Sequence, residues 1–200
     1  MGPAFSVTEF LITFATVTLR NTPVWRNAMN RFTSLLVWIR RIGHCRGFGI
    51  QSPNDYWFVR YVINEHWPYY QYQKLGENDD WLTRKLGRLY FRIANWRQPR
   101  IITASGYKQY FQAGCLKATF DDGAELVYMA MKDDWRERLS RLYSQVDAAS
   151  VVIVEGIWRD KDGWRSIVAD ERTGVTFDLY YCGIVLFDKK RTKKNYIINF

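Results

Sequence analysis

Ile101-Ile102-Thr103-Ala104-Ser105-Gly106 decides the fold. Four apolar or small residues followed by a Ser-Gly turn read as a short buried strand that ends abruptly. Cys115 to Phe120 and Ala124 to Ala130 read as two further strands, separated by Asp121-Asp122-Gly123. Val151 to Glu155 is an unbroken apolar run closed by one acid, the pattern of a central parallel strand covered on both faces. Helices are predicted between these strands. Tyr107 to Ala113 forms a short one, and a second is capped near Asp133 with Trp135, Leu139, Leu142 and Val146 inward. Trp164, Ile167 and Val168 mark another. The remainder is β: Val175 to Tyr181, Gly183 to Phe187 and Asn195 to Phe200. This order predicts an open α/β sheet, mostly parallel with antiparallel C-terminal strands.

Upstream, the sequence predicts helices. Asp79 or Asp80 caps one whose inner face is Leu82, Leu86, Leu89, Ile93 and Trp96, and Pro99 closes it. Another runs from Asn54 to about Glu65 and is expected to bury Trp57, Phe58, Tyr61 and Val62. Gly47-Phe48-Gly49, followed by Ser52-Pro53, stops any helix arriving from residue 41. The expected division is a helical extension over 1–46 and an α/β domain over 47–200. In the extension, Phe5 to Leu19 carries Glu9 and is shorter than the roughly 20 residues that span a bilayer. No positive charge precedes it, as a signal peptide would require. It reads as a buried or surface-lying helix, and residues 28–41 as a second, amphipathic one.

Composition narrows the function classes. The formal charge is +9, and residues 1–60 hold seven arginines against Glu9 and Asp55. That balance admits an anionic membrane surface or nucleic acid as partner, but no zinc-finger, RRM or helix-turn-helix pattern accompanies it. The basic run Lys189, Lys190, Arg191, Lys193 and Lys194 reads as a solvated turn between strands. Cys45, Cys115 and Cys182 have neither disulfide-framework nor metal-site spacing, which fits a reducing cytoplasm. With only His44 and His66, a histidine-rich metal site is excluded. The aromatic surplus (Trp57, Trp67, Tyr69, Tyr70, Tyr72) is the kind that self-association buries, so a homo-oligomer is the expected partner.

Three blocks carry a family resemblance. Gly47-Phe48-Gly49-Ile50-Gln51-Ser52-Pro53 resembles the Gly-x-Gly-Val-His-Ser-Pro motif of class I S-adenosylmethionine-dependent methyltransferase-like proteins of Bacteroidetes, with Gln51 where that family has His. Glu125 to Ala130 resembles the family's fourth sheet strand, normally Asp-Leu-Val-Phe-Ile-Asp. Val151 to Trp158 and Val175 to Phe200 resemble its fifth strand and closing antiparallel strands. The resemblance implies a Rossmann-like methyltransferase sheet over about residues 46–200. It would place S-adenosylmethionine over the end of the first strand, on a glycine-rich turn, with an acid near the end of the second strand for the ribose hydroxyls.

On those positions the chain has Ser105 and Gly106 for the turn and Asp121 or Asp122 for the acid, which are the candidate cofactor-binding residues. Each has a plainer reading. A lone glycine after a strand is foremost a turn, and Asp121-Asp122-Gly123 between two alternating runs is foremost a hairpin signal. Where the family has an acid on strand one stands Thr103, and where related metal-dependent enzymes hold a divalent cation stand Ala130 and Glu155-Gly156. One carboxylate does not make such a site, so no metal is expected, and Glu155 reads as a strand-end residue paired with an arginine. Only about twenty residues separate the first strand from Glu125, so at least one βα unit is missing. The expectation is a methyltransferase-like protein that is not catalytic, with a degenerate S-adenosylmethionine site. A divergent active enzyme and a membrane- or nucleic-acid-binding role for the basic N-terminal helices are the alternatives.

Overall fold

A computed structural model describes residues 34–132 and 134–200. The chain divides into two compact units, Met1–Ile42 and Gly43–Phe200. Of the first, residues 34–40 are helical, with Leu35 and Ile39 exposed. The helix expected over Phe5 to Leu19, residues 28–33 of that over 28–41 and the cap at Asp133 lie outside the described residues.

The second unit is a Rossmann-like α/β sheet of seven strands: β1 (Ile101–Ala104), β2 (Thr119–Phe120), β3 (Leu126–Ala130), β4 (Val151–Glu155), β5 (Thr176–Asp178), β6 (Cys182–Leu186) and β7 (Asn195–Ile197). Their spatial order is β2-β1-β3-β4-β6-β5-β7. β6 alone runs against its neighbours, β4 and β5, and β7 is parallel to β5. Helix α1 (Pro53–Phe58) begins with Ser52 as cap and Pro53 in the first turn, then widens into a π-turn over Val59–Ile63. The others are α2 (Trp81–Arg97), α3 (Lys108–Gly114), α4 (Trp135–Leu142) and α5 (Lys161–Ala169).

Strand alternation sorts the core into two layers. Ile102, Leu126, Tyr128, Val151, Ile153 and Ile184 face α1, α2 and α3, which contribute Phe58, Leu89, Ile93 and Phe111. Val127, Met129, Val152, Val154 and Val185 face α4 and α5, which contribute Trp135, Leu139, Trp164 and Ile167. A strand with helices on both faces must be apolar at every position, which is why β4 shows no polar alternation. Asp80 caps α2 as expected, its carboxylate accepting from the N–H groups of Leu82 and Thr83 at 2.8 and 3.0 Å.

Three expectations need correction. The Asp121-Asp122-Gly123 segment is not a hairpin turn. β2 and β3 do not pair with each other; both pair in parallel with β1, one on each side. Phe120 and Leu126 lie opposite the same residue, Ile102, so the chain need not travel back along the sheet before starting β3. It has only to cross two strand spacings, about 10 Å, which five residues span without a helix. Thr103 fixes this crossing: its hydroxyl accepts from the Gly123 N–H and lies 2.8 Å from the carbonyls of Asp121 and Gly123. A Cβ on Gly123 would sit 2.8 Å from Ile101 Cγ2, so the loop lies tight on that face of β1.

The α1 face is also different from expectation. Phe58 and Val62 are buried, but Trp57 and Tyr61 are 49% and 53% exposed. The buried stripe is Asp55, Phe58, Val59, Val62 and Ile63, still at helical spacing, so the core side of the helix is flanked by Val59 and Ile63 and not by Trp57 and Tyr61. Finally, Arg191 is not a free member of a solvated basic turn. It pairs with the buried Asp55 carboxylate, which also accepts from the Tyr196 hydroxyl at 3.1 Å.

Candidate functional site

In open α/β sheets the ligand crevice lies beyond the carboxyl ends of the parallel strands. Here that edge is formed by the ends of β1, β3 and β4, roofed by the first turns of α2. It is occupied by tyrosines. Tyr107 follows β1, Tyr128 stands on β3 and Tyr90 descends from α2. Their ring centroids lie 4.8 Å (Tyr90–Tyr107), 5.5 Å (Tyr107–Tyr128) and 5.6 Å (Tyr90–Tyr128) apart, and Phe111 stacks on Tyr90 at 5.5 Å.

Glu155, at the end of β4, is the polar hub of this cluster. Its Oε2 accepts from the hydroxyls of Tyr90 at 3.1 Å and Tyr128 at 2.9 Å, and Tyr107 lies close enough to feel its charge. It pairs with tyrosines, and the expected arginine partner is not what holds it. All three phenols are held well above the ordinary tyrosine pKa, by burial first and by the Glu155 charge as well. They therefore stay protonated and donate. Both hydrogen bonds fall on one oxygen of a half-buried carboxylate, so the two tyrosines fix its orientation at the strand ends.

Tyr107 reaches this position at a backbone cost. Its φ is +56°, in the left-handed region that a bulky side chain rarely adopts. Tyr110, one turn on, is buried against Gly87 of α2, where a Cβ would fall 2.5 Å from the ring, and its hydroxyl donates to Asp79 at 2.7 Å. A cleft of about 50 Å³ lies at the strand ends between Leu82, Leu86, Met131, Glu155 and Tyr181. Pockets for cofactor-sized ligands hold roughly 300–1,000 Å³.

Two reactive groups lie near the hub. Cys182 sits opposite Glu155 in the β4–β6 register, and burial, then the Glu155 charge, push its thiol well up, so it is no nucleophile at neutral pH. Lys85 points its ammonium at the rings of Trp81 (5.0 Å) and Phe200 (4.6 Å), and burial pulls its pKa down to about 8.

The residues singled out from the sequence fall on the same sheet edge but do not converge on a cradle. Ser105 is exposed. Gly106 has no left-handed φ, and a Cβ there would lie 3.5 Å from Tyr128, an ordinary contact. Asp121 and Asp122 follow β2, with both residues exposed and Asp121 Oδ1 accepting from the Asp122 N–H at 2.8 Å. Among the described residues no cluster of three metal-ligating side chains is present, and no helix is long and apolar enough to cross a membrane. The three cysteines are unpaired. Of the aromatic surplus, Tyr69 and Tyr72 pack edge-on against Phe91, whereas Trp57, Trp67 and Tyr70 remain exposed. Sequence reasoning missed the Tyr90–Tyr107–Tyr128 cluster, since no motif links three tyrosines on a helix, a turn and a strand.

Comparison of the chain with family models, with curated proteins and with solved structures finds no match.

Proposed function

We propose that this is a non-catalytic, methyltransferase-like domain whose S-adenosylmethionine site has been filled in, and which acts through binding or assembly. The carrying observation is the tyrosine trio packed at the carboxyl ends of the strands, two of whose hydroxyls donate to Glu155. A purine nucleoside with an amino-acid tail needs several times the roughly 50 Å³ of the cleft beside Glu155. The direct β2-to-β3 crossing supports the same reading, because it takes the place of a βα unit beside the first strand. Isothermal calorimetry of the full chain with S-adenosylmethionine and with its demethylated product tests it. No binding heat is expected for either. Micromolar binding at the strand ends would overturn the proposal in favour of a divergent active enzyme using Ser105, Gly106 and Asp121 or Asp122.

A further inference from the structure

A second concavity lies on the opposite flank of α1, and it differs in character from the crowded strand ends. After Phe58 the helix widens, and the Asn64 N–H reaches the Val59 carbonyl at 2.9 Å to close the π-turn. The last carbonyls of that turn are taken by the buried Arg92, whose guanidinium donates to Val62 O at 2.7 Å and Ile63 O at 2.8 Å. π-turns are uncommon and concentrate at functional sites. Tyr61 stands on the outer side of this turn, and the chain then continues through His66-Trp67-Pro68. Between the turn and this return lies an open groove of about 290 Å³ lined by Arg60, Tyr61, Asn64, Glu65, His66 and Trp67.

Two features of the groove call for a ligand. Trp67 is 71% exposed and Tyr61 more than half, and Trp57 extends the Tyr61 surface at 5.5 Å, so aromatic faces stand uncovered. Arg60, half-buried on the wall, has no ion-pair partner among the described residues. Glu65 is the acid present, and one of its oxygens already accepts from the Tyr69 hydroxyl at 2.8 Å.

We infer that this groove binds one nucleotide unit: a base stacked on Trp67 and Tyr61, and a phosphate on Arg60. The chemistry narrows the class. Inorganic phosphate would leave the rings bare, and an uncharged aromatic would leave the Arg60 guanidinium unmet. A nucleobase carries acceptors and donors on one edge, and the donors suit the free Glu65 oxygen. Base–aromatic stacking tolerates any base, and the net charge of +9 draws phosphate-bearing ligands to the protein. The source of the unit is either a free mononucleotide or a single strand.

The test is calorimetric titration of the full chain at low salt with AMP, GMP, CMP and UMP, and separately with a short single-stranded oligonucleotide. Sub-millimolar binding of at least one ligand is expected. Trp67→Ala, at an exposed position, should weaken it about tenfold with the unfolding midpoint unchanged. Arg60→Gln should weaken a nucleotide more than the matching nucleoside. Trp67-dependent binding of the oligonucleotide without any mononucleotide would support the groove and name a strand as its source. No binding of either at millimolar concentration, or binding indifferent to Trp67→Ala, would overturn the inference. The same variant keeps this result separate from the strand-end proposal: S-adenosylmethionine binding that survives the substitution belongs to the crevice and not to the groove.

Discussion

Tyr107 offers a way to weigh backbone strain against side-chain packing at the strand-end cluster. Its ring makes edge-on contacts with Tyr90 and Tyr128, each worth about 0.5–1.5 kcal/mol beyond burial. Against this stands a left-handed φ of +56°, which costs a non-glycine residue about 1–2 kcal/mol and glycine nothing. Tyr107→Ala loses the contacts and keeps the strain, so a loss of about 3 kcal/mol is expected. Tyr107→Gly loses the same contacts and sheds the strain. After its larger unfolded-state entropy is subtracted, it should be about 0.5–1 kcal/mol more stable than the alanine variant. Tyr107→Phe keeps the ring contacts and should fall by no more than about 1 kcal/mol. Urea unfolding midpoints of the four proteins, with slopes compared, measure all three differences. Alanine proving as stable as glycine would refute the strain argument. Phenylalanine proving as damaging as alanine would show that the rings hold nothing.

Gly114→Ala should destabilise by about 3 kcal/mol, the upper end for overpacking, because the new Cβ falls 2.3 Å from the Phe91 carbonyl, a backbone atom that cannot step aside; thermal or urea unfolding reads this. Asp80→Ala should cost about 1 kcal/mol through the lost cap of α2. The N–H groups of Thr83 and Leu82 hold the Asp80 carboxyl below its ordinary pKa, so the cap's contribution is present above the usual carboxylate range and fades in acid. A parent-minus-variant stability difference that did not shrink below pH 4 would contradict this. Lys85 is pulled down to about 8 in the folded state, so between about pH 8 and 10.5 the unfolded chain binds the extra proton and stability rises with pH. Lys85→Met should abolish that portion of the slope and should be the more stable protein at pH 7; a slope unchanged by the substitution would refute the assignment.

Much of the architecture was legible because its signals are local. β1, β3 and β4 were read from short apolar runs, and α2 from a cap at Asp80 followed by Leu82, Leu86, Leu89 and Ile93. What was illegible depends on partners far along the chain. Asp121-Asp122-Gly123 has hairpin chemistry, and only Thr103, eighteen or more residues earlier, turns it into a crossing. Trp57 and Tyr61 fit a helical stripe through Phe58 and Val62 as well as Val59 and Ile63 do, and only the neighbouring helix, whose Arg92 takes the Val62 and Ile63 carbonyls, selects the second pair. Glu155 was visible as a strand-end acid, yet its tyrosine partners come from a helix and a neighbouring strand. Arg191 and Asp55 lie 136 residues apart. The candidate cofactor residues followed from the order of strands, which the structure keeps, but what fills the crevice is set by side-chain packing, which no single motif encodes.

The seating of β1 between β2 and β3 makes it a keystone. In the strand order β2 reaches the rest of the sheet only through β1, whereas β3 is also held by β4. A substitution that loosens Ile101–Ala104 therefore detaches segment 119–120 along with it and leaves the larger part of the sheet standing.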